Sequence, residues 1–477
     1  MPESAESGVP LGASVRVSLV AVSEPEELLP ATRRALLRRV AVGQAEGRAP
    51  SVVGAVARDG VQVWCGSRSM IADHEPDGNI QYRIGSLTKM FVAVLIMRLR
   101  EEGLVDLADP VGRYLEAGET GSATIGQLLS HTAGLAAEAR GPWWERTPGE
   151  LRPAPGDIFG DQPRPLPAGR QFHYSNPGFA LLGALAGQLR GHSWDEAVRR
   201  EILIPLGMTR TTLRAQAPHA GGFAVHPWAD VMQPEPAEYT GHMAPAGDLW
   251  STADDLCRYA AFLLDGDDRV LPAATLEEMR THAAPPLSGA SGHGYGFGIE
   301  IWEREGRTLF GHGGSMPGFV AALVVSPDDG LGAVALSNVT AGPAVGEIAP
   351  DLIEIVASNE PRLPARWKPQ PGIGPELLAL TGLWYWGPRA TVLRVLSADT
   401  LGLTPASGTG RGSRFRAAGD GTWTGLDGYY SGETLRLIPA TDGVAEHLDL
   451  GTFVFTREPY GPGSPFAARP HEDGWRG

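Results

Sequence analysis

Nine consecutive residues from Phe91 to Leu99, FVAVLIMRL, are apolar except for Arg98. A helix that is apolar on every side has no face to present to water, so other elements must enclose it. The run therefore predicts a helix buried at the centre of a domain, with Gly103 as its stop. No apolar segment of the sequence approaches the roughly 20 residues that are needed to cross a bilayer.

Lys89 stands near the start of this helix, in a chain that has only one other lysine, Lys368, although Lys and Arg together number 40. Arginine stays protonated in proteins, whereas a buried lysine can lose its proton. Lys89 is therefore a candidate basic amine, and the alternative is a cation that extends from a helix end into water. We interpret Lys368, which lies among prolines, as a solvated linker residue.

The pattern of the first 360 residues predicts an α+β fold. Two stretches have the form of strand pairs around DG turns, SVVGAVARDGVQVWCGS and GFVAALVVSPDDGLGAVALSN. The sequence between them is mostly helical, and STADDLCRYAAFLLDG has Ser251 and Asp254 spaced as a capping box, with Gly266 as a stop. Strands at both ends predict one antiparallel sheet, completed by distant segments and packed against a helical region.

Two long irregular insertions, residues 140–170 and 215–243, interrupt the helical region. Loops of this length in a compact domain are usually either functional or disordered. Trp143, Trp144 and Trp228 favour ordered loops. Two interpretations stay open for these tryptophans: they line the mouth of a substrate site, or they anchor the loops to the core.

A proline-rich stretch over residues 361–375 predicts an extended linker. Beyond it, short alternating runs separated by Gly-rich turns predict a small antiparallel barrel or sandwich. We therefore divide the chain into a first domain (1–360), the linker (361–375) and a small all-β domain (376–477). For the last of these the sequence leaves open packing, dimerisation or narrowing of access to a neighbouring site, so a homo-oligomer is one open alternative.

Charge and composition exclude several classes of partner. A net charge of −15 and a pI near 5.3 argue against binding to nucleic acid or to an anionic membrane. Cys65 and Cys257 have neither disulfide-framework nor metal-site spacing. The chain begins with acidic residues where a signal peptide needs basic ones, so we expect a cytoplasmic protein.

Ser86 precedes Lys89 by three residues. If the helix begins near Ser86, this spacing puts the hydroxyl and the amine on one face, with the hydroxyl at the positive end of the helix dipole. A serine needs a base to become a nucleophile, and a buried amine with a lowered pKa can be that base. Ser-x-x-Lys alone is a weak motif, because a helix-cap serine beside an unrelated lysine gives the same pattern.

Two further motifs strengthen this interpretation: Tyr174-Ser175-Asn176 in FHYSNPGFALLG and His312-Gly313-Gly314 in LFGHGGSMPGF. Together with IGQLLSHTAGL, IPLGMTRT, GDLWSTADDL and GYGFGI, they make the chain resemble the serine beta-lactamase and penicillin-binding-protein superfamily over about 48–356. Within it, the chain looks most like class C beta-lactamase-related esterases, D-aminopeptidases and DD-peptidases. The resemblance implies a beta-lactamase-like fold, and the C-terminal part resembles lipocalin-like barrels that some members carry.

The resemblance implies a role for each motif residue. Ser86 would be the nucleophile and Lys89 its proton acceptor. Tyr174 would be a second acid and base that protonates the leaving group and then activates water. The backbone N–H groups of Ser86 and Ser315 would form the oxyanion hole. Asn176 would hydrogen-bond the acyl side chain of the substrate and steady Lys89.

The His312-Gly313-Gly314 motif departs from the Lys-Thr-Gly motif of beta-lactamases. The loss of that Lys and Thr puts a beta-lactam or a peptide carboxylate in doubt as the substrate. Gly313 and Gly314 would let their strand approach the substrate, and His312 is a candidate pH-sensitive hydrogen-bond partner. We interpret His131 as structural. The twelve histidines are scattered and no His-Glu-x-x-His motif occurs, so we expect neither a metal nor a cofactor.

The leading hypothesis is a cofactor-free serine hydrolase that acts through an acyl-enzyme on a small-molecule ester, an amide or a short peptide. An acyltransferase, which passes the same acyl group to an alcohol or amine, is its nearest variant. A beta-lactamase or DD-peptidase is the second hypothesis. From a different class, the chain would be a non-catalytic binding module of the same fold.

Overall fold

The computed structural model describes residues 27–71, 76–151, 158–284, 293–362, 367–370, 372–439 and 445–466. The acidic start of the chain, on which the expectation about a signal peptide depends, lies outside this range. The chain divides into two compact units, Met1–Leu363 and Pro364–Gly477. This division falls within the predicted linker.

The described part of the chain forms α-helices and β-strands that we number in chain order. The helices are α1 (Pro30–Glu46), α2 (Thr88–Glu101), α3 (Ile125–Leu129), α4 (Asn176–Arg190), α5 (Trp194–Val198), α6 (Ala253–Asp265), α7 (Ala273–Met279), α8 (Val345–Asn359) and α9 (Pro375–Leu380). The strands of the first unit are β1 (Ser51–Arg58), β2 (Val61–Ser69), β3 (Tyr82–Arg83), β4 (Phe223–Val225), β5 (Met232–Pro234), β6 (Trp250–Ser251), β7 (His293–Tyr295), β8 (Glu300–Arg304), β9 (Arg307–Met316), β10 (Phe319–Ser326) and β11 (Leu331–Ser337). Those of the second unit are β12 (Gly382–Trp386), β13 (Arg389–Ser397), β14 (Thr400–Pro405), β15 (Ser413–Ala417), β16 (Thr422–Gly425), β17 (Thr434–Pro439), β18 (Ala445–Leu450) and β19 (Phe453–Thr456).

The main sheet of the first unit is antiparallel and has the strand order β2-β1-β11-β10-β9-β8-β7. Both predicted hairpins, β1-β2 and β10-β11, are present and lie next to each other, because β1 pairs with β11. Val52 is opposite Ser337 in this pairing. The prediction of one antiparallel sheet that is completed by distant segments and packed against helices is confirmed.

Helix α2 lies in the core, as the apolar run predicts. All of its residues from Thr88 to Met97 are fully buried, and the Phe91 ring stacks on the Tyr259 ring of α6 at 4.0 Å. The helix ends at Glu101, and Gly103 follows with a positive φ of 71°. Because the core encloses α2, the residues at the N-terminal end of this helix are held in a fixed position.

The start of α6 differs from the prediction by one residue. The N-cap is Thr252, not Ser251, and its side chain accepts the backbone N–H of Asp255 at 3.1 Å. The Ser251 hydroxyl is engaged elsewhere, at 2.8 Å from the hydroxyl of Thr211. The predicted stop at Gly266 is confirmed, where φ is 74°.

The second unit is a closed barrel of eight antiparallel strands in the order β12 to β19. Alternate side chains point inward and form a separate core, which includes Trp384, Leu393, Leu403 and Phe455. The Trp384 indole N–H donates to the carbonyl of Leu380, which ties α9 to the barrel. A barrel, rather than the alternative sandwich, is therefore present.

Three further findings concern predictions for the first unit and for the chain as a whole. Cys65 and Cys257 are free thiols. In the first insertion, Trp144 is buried while Trp143 is 53% exposed; residues 152–157 of this insertion lie outside the described range. Trp228 of the second insertion is 90% exposed, so its side chain is not packed in the core as an anchor would be. No helix in the described ranges is long and apolar enough to cross a membrane.

Candidate active site

Ser86 and Lys89 meet at the N-terminal end of α2. Ser86 lies in a tight 3-10 turn, Gly85–Leu87, that leads directly into the helix. The Lys89 Nζ atom is 3.0 Å from Ser86 Oγ, because residues three apart on a helix are neighbours. Lys89 is fully buried and Ser86 is half-buried, so a substrate can reach the hydroxyl while the amine stays shielded from water.

A second hydrogen bond orients the lysine, from Nζ to the carbonyl oxygen of Ala246 at 2.7 Å. The segment that carries Ala246 is held by a buried ion pair between Arg83 and Asp248, with an N–O distance of 2.6 Å. Burial lowers the pKa of Lys89 from 10.5 to about 7, although nearby carboxylates oppose this shift. A large fraction of the molecules therefore carries a neutral amine, the form that can accept a proton, near neutral pH.

Tyr174, which lies just before α4, is close to both Ser86 and Lys89. Its hydroxyl is near enough to Ser86 for that side chain to oppose the rise in its pKa, and its ring centroid lies 4.9 Å from Lys89 Nζ. Burial raises the pKa of Tyr174 well above its ordinary value, so the phenol keeps its proton at neutral pH and can donate it. The His131 ring lies 4.2 Å from the Tyr174 ring, and its Nδ1 accepts the backbone N–H of Ser175 at 3.0 Å, which supports a structural role for His131.

Strand β9 approaches the serine turn so closely that glycine is needed on both sides. A Cβ atom on Gly314 would lie 2.1 Å from the carbonyl oxygen of Ile84 and 3.0 Å from the backbone nitrogen of Ser86. A Cβ atom on Gly85, where φ is 54°, would lie 2.5 Å from the backbone nitrogen of Ser315. The backbones that carry the two expected oxyanion-hole donors are therefore neighbours.

Gly313 and His312 sit differently from Gly314. No atom of the described residues lies within 4 Å of a Cβ built on Gly313, so the strand faces open space there. The His312 side chain is buried, with Nε2 at 3.1 Å from the Tyr295 hydroxyl and Nδ1 at 3.6 Å from a carboxylate oxygen of Glu300. Burial, together with the charge on Lys89, lowers the pKa of His312 to about 3. A hydrogen-bond role that changes with pH near neutrality therefore does not fit His312.

The side chain of Asn176 is hydrogen-bonded to Glu138, a residue that the sequence motifs do not reveal. Its Nδ2 donates to both carboxylate oxygens of Glu138 at 3.0 Å, and the indole N–H of Trp144 donates to the same carboxylate at 2.7 Å. Glu138 and the carbonyl of Ala246 are thus neighbours of the site that sequence reasoning missed. Neither carries a pattern that could have found it, although Ala246 stands just before the quoted stretch GDLWSTADDL.

Three carboxylates act electrostatically on Lys89: Glu138, Glu145 and Glu300. Burial raises the pKa of Glu145, and it raises that of Glu300 to about 7. Within the ranges that the structure describes, no group of three or more His, Cys, Asp or Glu side chains is placed to hold a metal ion. The surroundings of the nucleophile are therefore acidic in character.

A fold of helices around an antiparallel sheet, with a serine, a lysine and a tyrosine in contact, defines a class of serine hydrolases. The beta-lactamase family model matches residues 36–358, and the chain belongs to this family. A domain family of unknown function, DUF7586, matches residues 373–457. The predicted beta-lactamase-like fold with a small C-terminal β domain is confirmed.

Relatives and solved structures agree with this assignment. The chain is 30% identical over 282 residues to penicillin-binding protein 4 of Amycolatopsis lactamdurans, over 54% of this chain and 72% of that protein. It is 29% identical over 305 residues to putative beta-lactamase-like 1 of Homo sapiens, over 59% of this chain and 58% of that protein.

Among solved structures, the octameric penicillin-binding protein homologue from Pyrococcus abyssi superimposes with a TM-score of 0.61 at 21% identity. This match covers 89% of this chain and 99% of that one, and it shows a shared fold. The D-stereospecific amidohydrolase from Streptomyces sp. has a TM-score of 0.56 at 26% identity, over 70% of this chain and 99% of that one.

Proposed function

We propose that the protein cleaves an ester or amide bond of a small substrate through an acyl-enzyme on Ser86. The observation that carries this proposal is the 3.0 Å contact between Ser86 Oγ and the buried Lys89 Nζ, whose pKa is about 7. A nucleophile within hydrogen-bond reach of a base that is partly neutral at working pH meets the geometric and the acid-base requirement together.

The proposed reaction uses each contact in turn. Ser86 Oγ attacks the substrate carbonyl carbon as its proton passes to Lys89, and the backbone N–H groups of Ser86 and Ser315 stabilise the resulting oxyanion. Tyr174 donates its proton to the leaving nitrogen or oxygen when the old acyl bond breaks. Lys89, now protonated, returns this proton to the Tyr174 phenolate, whose ring centroid lies 4.9 Å from Nζ.

Water completes the cycle by the same route in reverse. Its oxygen attacks the acyl carbon, its proton goes to the base formed by Tyr174 and Lys89, and Ser86 Oγ leaves and recovers a proton. The sum is hydrolysis of one ester or amide bond with no change in the enzyme. Transfer to an alcohol or amine follows the same steps with a different acceptor.

For the substrate, we propose a D-amino-acid-type amide or a related ester. The Streptomyces amidohydrolase is described as D-stereospecific, and a second neighbour with a TM-score of 0.60 at 21% identity is a D-amino acid amidase from Ochrobactrum anthropi, solved with D-phenylalanine. The Glu138 carboxylate favours a substrate with an amino group over an anionic one. Burial weakens the contributions of Glu145 and Glu300, because it raises their pKa values. The His-Gly-Gly motif removes the cation that would bind a substrate carboxylate.

The test is an intact-mass screen for covalent adducts with D- and L-phenylalanine amide, short acyl esters and a beta-lactam. We expect an adduct from a D-amide or an ester that is absent in Ser86→Ala. Turnover by Ser86→Ala at the wild-type rate would contradict the mechanism, and adducts from the L-amide alone would contradict the substrate.

A beta-lactamase or DD-peptidase activity is the second candidate. The similarity to penicillin-binding protein 4 favours it. The discriminating experiment is nitrocefin turnover beside D-amide turnover under the same conditions. Nitrocefin hydrolysis at a rate typical of a dedicated enzyme would reverse our ranking.

A further inference from the structure

The eight-stranded barrel contains a cavity of about 480 Å³ at one end of its interior. The cavity is lined by inward-facing residues that continue the rows of the barrel core: Trp386 follows Trp384 on β12, Thr391 precedes Leu393 on β13, and Pro405 follows Leu403 on β14. Cavities of this size suit a small organic molecule, and the mouths of β-barrels are frequent sites for one.

Arg411, in the loop between β14 and β15, places a cation in this cavity. Its guanidinium carbon lies 4.1 Å from the ring centroid of Tyr429, 4.9 Å from that of Phe453 and 5.4 Å from that of Trp386. These rings hold the planar group in one orientation through cation–π contacts. The preorganised fork loses little entropy when it binds an anion.

One nitrogen of this guanidinium has no hydrogen-bond acceptor among the described residues. This atom, Arg411 Nη1, is buried. A buried donor at a charged group is costly when it is left unsatisfied, so an acceptor at this point would gain strongly. Arg389 also lines the cavity, and none of the described lining residues is an aspartate or glutamate. The cavity is thus positive in a chain whose net charge is −15.

We propose that the barrel binds a small organic carboxylate with an apolar or aromatic body. The guanidinium of Arg411 pairs with the carboxylate, and the walls formed by Trp386, Tyr430 and Phe455 cover the apolar body. A carboxylate fits the fork of arginine in two parallel hydrogen bonds, and the aromatic walls select against a small hydrated inorganic anion. No step of the reaction proposed at Ser86 uses this cavity.

The test is calorimetric titration of the full-length Ser86→Ala protein, which keeps the barrel intact and prevents turnover. The probes are phenylacetate and octanoate, each paired with its neutral amide, phenylacetamide and octanamide. We expect at least one carboxylate to bind, its amide to bind at least about tenfold more weakly, and added salt to weaken the carboxylate alone.

Variants then locate the site. We expect Arg411→Gln to weaken carboxylate binding at least about tenfold and Arg411→Lys to restore part of it, because lysine keeps the charge but not the fork. Arg394→Gln is the matched control, since Arg394 is exposed on the outer face of β13, and it should bind as the parent does. If Arg411→Gln unfolds the barrel, Arg389→Gln keeps the test, because Arg389 is exposed and its replacement should also weaken binding.

Three results would overturn the proposal. One is equal binding of acid and amide, and another is unchanged binding in a folded Arg411→Gln protein. The third is the absence of binding for both carboxylates, which would leave Arg411 as a packing residue held by its rings.

Discussion

At the scale of single residues, the proposed mechanism depends on Lys89. A chain that uses arginine for nearly all its cations has a lysine where the proposed reaction needs a proton acceptor. Arginine at this position would keep its proton at every accessible pH. The site therefore needs an amine, and burying that amine has a cost that the fold must carry.

This cost leads to a prediction for Lys89→Met. The folded-state pKa of about 7 lies below the ordinary 10.5, so the unfolded chain binds more protons than the folded one between these values. The penalty is complete below pH 7 and fades as the pH rises towards 10. We expect Lys89→Met to raise the free energy of unfolding at pH 6 by about 2 to 4 kcal/mol, and by much less at pH 9.5.

Urea denaturation at the two pH values measures this difference. Lys368→Met is the control, because Lys368 is exposed and should leave the unfolding free energy unchanged at both. A Lys89→Met protein that is less stable than wild type at pH 6 would show that the amine stabilises the fold.

The side chains that do the proposed chemistry could be predicted from the sequence, and some of their supports could not. Ser86, Lys89 and Tyr174 stand in short motifs because their reactive groups belong to the side chain. The acceptor for Lys89 on Ala246 is a backbone carbonyl, which any residue type provides. Glu138 is a carboxylate in an ordinary loop, and only the folded chain brings it to Asn176.

At the scale of elements, the approach of β9 to the serine turn distinguishes two adjacent glycines. We predict that Gly314→Ala lowers the rate of Ser86 acylation at least about 100-fold, because its Cβ would displace the backbone that carries an oxyanion-hole donor. Gly313→Ala should lower it far less, since its Cβ meets no described atom within 4 Å. Labelling rates with a serine-reactive phosphonate, compared by intact mass, measure both.

Equal losses in the two variants would contradict this geometry. A circular-dichroism spectrum and a melting curve for each variant serve as the control for folding. A Gly314→Ala protein that labels as fast as wild type would show that β9 does not form part of the oxyanion hole.

Element types could be predicted more securely than their ends or their closure. Turn glycines and apolar periodicity indicate the two hairpins and α2, because these signals are local. The cap of α6 differs by one residue because Ser251 pairs across to Thr211, a contact between distant segments. Alternation in the C-terminal strands is shared by barrels and sandwiches, and the pairing of β12 with β19 that closes the barrel is visible only in the fold.

At the scale of the whole molecule, the two units have separate hydrophobic cores. The linker prolines and the change in sequence pattern predict this division, since both are properties of composition. We predict two unfolding transitions on heating, one for each unit. Phosphonate labelling of Ser86 should raise the midpoint of the first unit's transition by several degrees and leave that of the second unit unchanged.

Differential scanning calorimetry with and without the label provides this measurement. Leu403→Ala, which opens a cavity in the barrel core, should lower only the midpoint of the second unit's transition. A single transition that both changes shift would contradict the independence of the cores.

In the proposed mechanism neutral Lys89 activates Ser86, and the pH dependence of phosphonate labelling tests this role without an identified substrate. We predict a second-order labelling rate that rises with pH, with a midpoint near 7, as Lys89 loses its proton. We predict a loss of about 100-fold or more in Lys89→Arg, no change in Lys368→Arg and no label in Ser86→Ala. Labelling of Lys89→Arg at the wild-type rate, with the same pH profile, would contradict this role of Lys89.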